Sequence, residues 1–195
     1  MINIGRLAKR AIEQDVQVMI EGPGHVPLNE VAANVTLAKS LIGDVPYYVL
    51  GPLVTDIASG HDHIASAIGA AVSASAGVDL LCYLTPSEHL ALPNPEEVKE
   101  GLIAYRIAAH AGDLVKIREK AIKWDLKMTE ARRTLDWETQ LALSIDPEKA
   151  AKIHARTGQH PGNNVPCTMC GGACVYLMLP QQRNYVKENE NLKQV

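Results

Sequence analysis

Cys167-Thr-Met-Cys170-Gly-Gly-Ala-Cys174 gathers three of the chain's four cysteines at C-x2-C-x3-C spacing. Thiolates are soft ligands that suit zinc, copper(I) or an iron–sulfur cluster. Two cysteines separated by two residues can grip one metal centre from a tight turn. A third, four positions on, can join them as the chain leaves that turn. Gly171 and Gly172 remove the Cβ atoms that would crowd such a path. A closed structural zinc site takes four ligands, and the nearest other candidate is His160, ahead of the motif across a Pro-Gly-Asn-Asn loop. Three cysteines on a [4Fe–4S] cluster would leave one iron open to a substrate or cofactor. The spacing leaves three readings open: such a cluster, a zinc knuckle that recruits a histidine, and reduced thiols without metal.

A second group of chemically able residues lies in the first half. Glu21 and His25 sit in Glu21-Gly-Pro-Gly-His-Val-Pro27, Tyr48 lies in an apolar run, and Glu88-His89 follows another. Two neutral imidazoles can hold a divalent metal and leave positions open for water or substrate. Taken singly, each histidine also fits a hydrogen-bonded structural role. Glu21 can orient a substrate or accept a proton, or simply cap its turn. Tyr48 can donate a hydrogen bond to a ligand, or lie at the core edge with its hydroxyl in water. His61-Asp62-His63 offers an H-x-H pair of the kind metal hydrolases use. Because it precedes a helical stretch, Asp62 as a helix cap is the simpler reading. Cys82, alone in an apolar run, reads as a small buried core residue.

The elements that must position these residues follow from periodicity. Residues 6–14 have helical spacing, with Leu7, Ala8, Ala11 and Ile12 on one face. Val16–Ile20, Pro46–Leu50 and Val78–Tyr83 read as strands, each with a helix behind it. One helix runs from about Asn29 to Leu41 and stops at Gly43; another starts near Asp62 and stops at Gly77. Strand starts near 16, 47 and 78 recur at about 31 residues, the period of a βαβ unit, which makes the strands parallel. Parallel strands with crossover helices belong to doubly wound sheets or (β/α)8 barrels, whose chemistry sits at the carboxyl ends of the strands. Glu21, His25, Tyr48 and His89 all fall there.

Beyond Pro95 the pattern becomes helical. Residues 96–112 form one helix, Asp113 caps a second to about Arg133, and Trp137–Leu143 and Pro147–Arg156 are two more, the last capped by Asp146. The organisation expected is a partial barrel over 1–95, a helical extension over 96–160, and a cysteine loop and tail over 161–195. An apolar run, Val175–Leu179, precedes the polar tail. Hydrophobic residues make up 47 % of the chain, but aromatics only 4 %, with no Phe, so the core is aliphatic and alanine-rich. A net charge of −3 argues against a nucleic-acid partner. No apolar run approaches the roughly 18 residues of a membrane span. The first residues lack a signal peptide's order, and clustered cysteines without one point to a reducing cytoplasm.

Several blocks in fixed order then carry a family likeness: Ile20-Glu-Gly-Pro-Gly-His-Val-Pro27, Leu50-Gly-Pro-Leu-Val-Thr-Asp-Ile57, Asp62-His-Ile-Ala-Ser-Ala-Ile-Gly-Ala-Ala71, Leu81-Cys-Tyr-Leu-Thr-Pro-Ser-Glu-His-Leu90 and Cys167-Thr-Met-Cys-Gly171. The chain, from about residue 7 to 174, resembles the carboxyl part of the phosphomethylpyrimidine synthases of thiamin biosynthesis. That resemblance implies a non-standard radical S-adenosylmethionine lyase. Such an enzyme converts 5-aminoimidazole ribotide to 4-amino-5-hydroxymethyl-2-methylpyrimidine phosphate, releasing formate and carbon monoxide. It implies a (β/α)8 barrel, of which this chain would supply about three βα units, followed by a helical domain and a cluster-bearing tail, in a homodimer. It implies Glu21 and Tyr48 as substrate contacts, His25 and His89 as zinc ligands, and Cys167, Cys170 and Cys174 as [4Fe–4S] ligands. The family spacing is C-x2-C-x4-C, one residue longer than here, and the family extends well upstream of the matching region. The alternatives are 5-hydroxybenzimidazole synthase, a relative that acts on the same ribotide, and a split or non-catalytic metal-binding piece. With only three strands, a partner chain or a homo-oligomer is expected to cover the open sheet.

Overall fold

The computed structural model describes residues 1–179. Its architecture is α/β, mostly helical around a small parallel sheet, and the chain divides into two compact units, the second beginning at Ile122. The polar tail expected after Leu179 lies outside the described residues.

The first unit opens with α1 (Ile2–Ile12), then alternates β1 (Ile20–Glu21), α2 (Leu28–Ile42), β2 (Tyr47–Leu50), α3 (Asp62–Ala76) and β3 (Leu80–Cys82), and ends with α4 (Pro95–Lys116). The strands run parallel in the order β1-β2-β3, with Glu21 opposite Tyr48, and Leu50 opposite Cys82. Side chains alternate across a strand. Ile20, Tyr47 and Val49 therefore face one layer, where they are buried against Val35, Ala38 and Ile42 of α2. Glu21, Tyr48, Leu80 and Cys82 share the opposite face, where no residue is fully buried.

Asp79 ties the sheet to its helices. Its carboxylate accepts from the Tyr47 N–H at 2.9 Å and from Lys39 Nζ of α2 at 2.8 Å. Burial pushes this carboxyl up, but the bonds from Lys39 and Tyr47 and the charges of Lys39 and Lys116 outweigh it, and the net shift is downward. The core face of α3 is made of small residues, Ala65, Ser66, Gly69, Ala70, Ser73 and Ala74. A Cβ on Gly69 would fall on the Pro52 carbonyl oxygen, so α3 lies directly on the loop after β2. The start of α4 is fixed by a capping box between Asn94 and Glu97, with Pro95 at the first helical position.

The sequence-based elements need four corrections. The first strand is not 16–20 but Ile20–Glu21; Val16 and Met19 are 54 % and 56 % exposed and pair with no strand. Helix α1 begins at Ile2, and of its expected inward face only Ala8 is buried. Asp113 does not start a helix: α4 continues to Lys116 and α5 (Arg118–Arg133) follows. Asp62 is not an N-cap; His61 takes that position without a side-chain bond.

In the second unit, α6 (Trp137–Leu143) and α7 (Pro147–Ala155) are capped by the carboxylates of Asp136 and Asp146. Single 3-10 turns cover Pro161–Asn163 and Gly171–Ala173, and residues 175–179 are helical. Trp124 donates to the Leu143 carbonyl at 2.8 Å. Trp137 donates to the Val165 carbonyl at 2.7 Å, which fixes the approach to Cys167. Among the described residues no helix is long and apolar enough to cross a membrane.

Candidate functional site

The open face of the sheet carries the first group. Glu21 and Tyr48 are cross-strand partners on adjacent strands, as their shared position at the strand ends requires. A hydrogen-bonding interaction with the Cys82 side chain, then burial and electrostatic repulsion from the Cys82 and Glu21 side chains, push the Tyr48 phenol up to about 12. Tyr48 is thus a standing donor at neutral pH. Cys82 is half-buried at the end of β3 rather than a sealed core residue.

After β1 the chain turns through Gly22-Pro-Gly24, where a Cβ on Gly22 would collide with the Tyr47 ring and with Val49. It then continues the parallel pairing as an isolated bridge. The Leu53 N–H donates to the Gly24 carbonyl at 2.8 Å, and the Val26 N–H donates to the Leu53 carbonyl at 3.0 Å. His25 lies between these two bonds. His89 sits in the turn after β3, where the Glu88 N–H reaches Thr85 and those of Leu90 and Ala91 both reach the Ser87 carbonyl. Its φ is +60°, the left-handed region that few residues with a Cβ occupy.

The structure brings these two histidines together from sites 64 positions apart, their ring centroids separated by 5.5 Å. Each ring is engaged through Nδ1: His25 with Asp56 Oδ1 at 3.0 Å, His89 with Asp62 Oδ2 at 3.1 Å. A carboxylate can only accept, so Nδ1 is the donor in each contact, and in the neutral ring this leaves the Nε2 lone pair free. A carboxylate behind an imidazole is the usual support of a metal-ligating histidine. The pair fits one divalent ion with several open positions, although among the described residues no third His, Cys, Asp or Glu joins it.

Asp56 and Asp62 were not singled out as supports by sequence reading. They stand 31 and 27 positions from their histidines, and no local spacing marks such contacts. The H-x-H pair has a different environment. His63 is buried in the first turn of α3, with Nε2 3.6 Å from Glu100 Oε1. Burial lowers its pKa despite that carboxylate. His61 caps α3 and His63 lies in its first turn, so the pair does not share a strand face; the ring centroids are 6.3 Å apart.

In the second unit, the Gly171 N–H donates to the Cys167 carbonyl at 3.1 Å, closing the turn that holds Cys167 and Cys170. The backbone N–H groups of Cys170 and Met169 point at the Cys167 sulfur and, against slight burial, lower its pKa toward the ligating thiolate. Cys170 is exposed, whereas Cys174 is buried. The turn thus gathers two of the three thiols, and Cys174 is not assembled with them. A cavity of about 580 Å³ adjoins Cys167, walled by Met128, Trp137, Leu141, Ile153 and His154.

A parallel βα sheet whose strand ends carry paired histidines, followed by helices and a three-cysteine loop, defines the class. The Radical SAM ThiC family model matches residues 1–181, and the chain belongs to that family. The phosphomethylpyrimidine synthase of Ignicoccus hospitalis is 56 % identical over 192 residues, 98 % of this chain and 43 % of the relative. Those of Desulfitobacterium hafniense and Sulfolobus acidocaldarius are 57 % and 56 % identical, over 92 % and 93 % of the chain and 41 % and 42 % of their own lengths. The chain spans less than half the length of the curated relatives it matches.

Proposed function

We propose that this chain carries the carboxyl-terminal share of a phosphomethylpyrimidine synthase, a cytoplasmic radical S-adenosylmethionine lyase that makes the thiamin pyrimidine phosphate from 5-aminoimidazole ribotide. The observation that carries the reading is the identity above 50 % to enzymes of that name across nearly the whole chain.

Each cluster of side chains then takes a role. The sheet is the carboxyl-terminal part of a (β/α)8 barrel, and its open face is the barrel lumen. There Glu21 and Tyr48 contact the ribotide, the first accepting and the second donating hydrogen bonds. His25 and His89 hold a zinc ion through Nε2, which orients the substrate's polar groups. Cys167 and Cys170, already adjacent, and Cys174, once turned out of its buried position, hold the [4Fe–4S] cluster. When bound, that cluster supplies the electron that reductively cleaves S-adenosylmethionine.

The edges of β1 and β3 each lack a neighbour among the described residues. Large apolar side chains also stand on the surface of the first unit, including Ile2, Leu7, Ile12 and Leu37 at 51–61 % exposure. Open edges and apolar patches of this kind invite a covering partner. The remaining barrel strands, from a partner chain or a second copy in a homodimer, are the occupants proposed.

The test is product analysis. The reconstituted chain is incubated with ribotide, S-adenosylmethionine and reductant, alone and with the amino-terminal segment of the Ignicoccus hospitalis relative. Pyrimidine phosphate is expected only in the complemented reaction. Turnover by the chain alone would remove the need for further strands, and a hydroxybenzimidazole product would overturn the assigned reaction.

A further inference from the structure

The two histidines are supported unequally. Asp62 is 4 % exposed and stands in the first turn of α3, and its carboxylate is not spent on capping that helix. A buried carboxylate needs donors, and the His89 Nδ1–H at 3.1 Å is the side-chain donor that meets it. The helix amino end adds a favourable field for the anion. The His89 backbone is also locked, in the left-handed region, by the three turn bonds around it. Non-glycine residues hold such a conformation only where their surroundings impose it, and functional positions are enriched among them. His25 is pinned in its backbone too, but its partner Asp56 lies on the loop after β2 with a side chain 83 % exposed. Exposed pairs of that kind contribute little.

We infer that Asp62 is a positioning residue that makes His89 the fixed ligand of the pair, while His25 is the adjustable one. This rests on the zinc reading of the two histidines. Asp62 holds the imidazole with its Nε2 lone pair free and its plane set before any metal arrives. His25, backed by an exposed carboxylate, would complete the ion's protein ligands without fixing its ring as firmly.

Zinc affinity is measured by chelator competition on the full chain, with Cys167, Cys170 and Cys174 changed to Ser so that thiols do not compete. Asp62→Asn should weaken zinc binding by about 10–100-fold, the usual cost of losing such a support. Asp56→Asn should cost no more than about fivefold. Independently, long-range 15N spectra of the metal-free wild-type chain should show His89 as the Nδ1–H tautomer. That measurement needs no variant to fold, and an Asp62 that did not orient the ring would not fix its tautomer. An Asp56→Asn effect equal to or larger than that of Asp62→Asn would overturn the inference. So would unchanged affinity in Asp62→Asn, or an Nε2–H tautomer at His89. If His25→Ala and His89→Ala both leave zinc binding intact, the metal reading itself fails, a result distinct from failure of the Asp62 variant alone.

Discussion

The histidine corner and the cysteine loop bring metal-ligating side chains together by different means. In the first, residues 64 positions apart meet because parallel strands place their carboxyl ends side by side, and both rings are oriented by carboxylates. In the second, all three cysteines lie within eight residues, yet only Cys167 and Cys170 share a turn and Cys174 is buried. Nearness in sequence does not by itself assemble a site. The sheet brings its two imidazoles together without a metal, whereas the short glycine-bearing loop leaves Cys174 apart from the other two thiols, so a cluster held by all three would couple binding to local ordering.

The sharpest way to break this comparison is at the loop. Changing Cys167, Cys170 or Cys174 to Ser should abolish the broad absorption near 400 nm that anaerobic iron and sulfide reconstitution gives, on the order of complete loss for each, since a cluster tolerates few missing thiolates. Cys82→Ser should keep it. A full cluster in Cys174→Ser would mean that the buried thiol is never recruited. A smaller effect is expected at the corner. In the background lacking the three loop cysteines, His89→Ala should bring bound zinc close to zero at micromolar metal, while His25→Ala should retain a larger residual fraction, read by metal analysis after gel filtration. Equal zinc in both variants and the parent would remove the corner as a metal site.

The smallest effect concerns the tie that holds the sheet to α2. Asp79→Asn removes the charge that ties β2 to α2 and should cost about 1 kcal/mol or less, given its partial exposure, as a lower urea midpoint. The Asp79 carboxyl is depressed below its ordinary 3.8 in the fold. Its contribution is therefore complete above about pH 4 and is lost as pH falls through the lower folded value. Wild type and variant should differ by a constant amount from pH 5 to 8 and converge in stronger acid. A difference that grows on acidification would contradict the depressed pKa.

Much of the frame was legible in the sequence because it is periodic. Strands expected at 46–50 and 78–83 contain the observed Tyr47–Leu50 and Leu80–Cys82, and the 31-residue recurrence yielded the parallel order. The first strand was misplaced because β-branched composition reports a preference for pleated surface, and Val16–Met19 have no adjacent strand to pair with. Asp113 misled because a polar residue looks like a start signal, whereas its carbonyl simply accepts from the Ile117 N–H as α4 continues. At the corner, the histidines stood out by type and position. Asp56 and Asp62 did not, because the contacts that give them meaning arise from the packing of α3 and the loop after β2. Asp62 also had a plausible local duty as a cap, and local readings win when only local information is present.

Gly69 gives the corner a mechanical dimension. It lies seven residues after Asp62 along α3, about 10 Å at the rise of an α-helix, and the bare backbone there rests on the Pro52 carbonyl. Pro52 belongs to the same segment as Leu53, which brackets His25, and Asp56, which supports it. The helix serves both sides of the corner: its first turn carries Asp62 to His89, and its middle bears on the loop after β2, whose Leu53 and Asp56 hold His25. A single methyl group at Gly69 would meet the Pro52 carbonyl, so either α3 or the loop that supports His25 would have to give way.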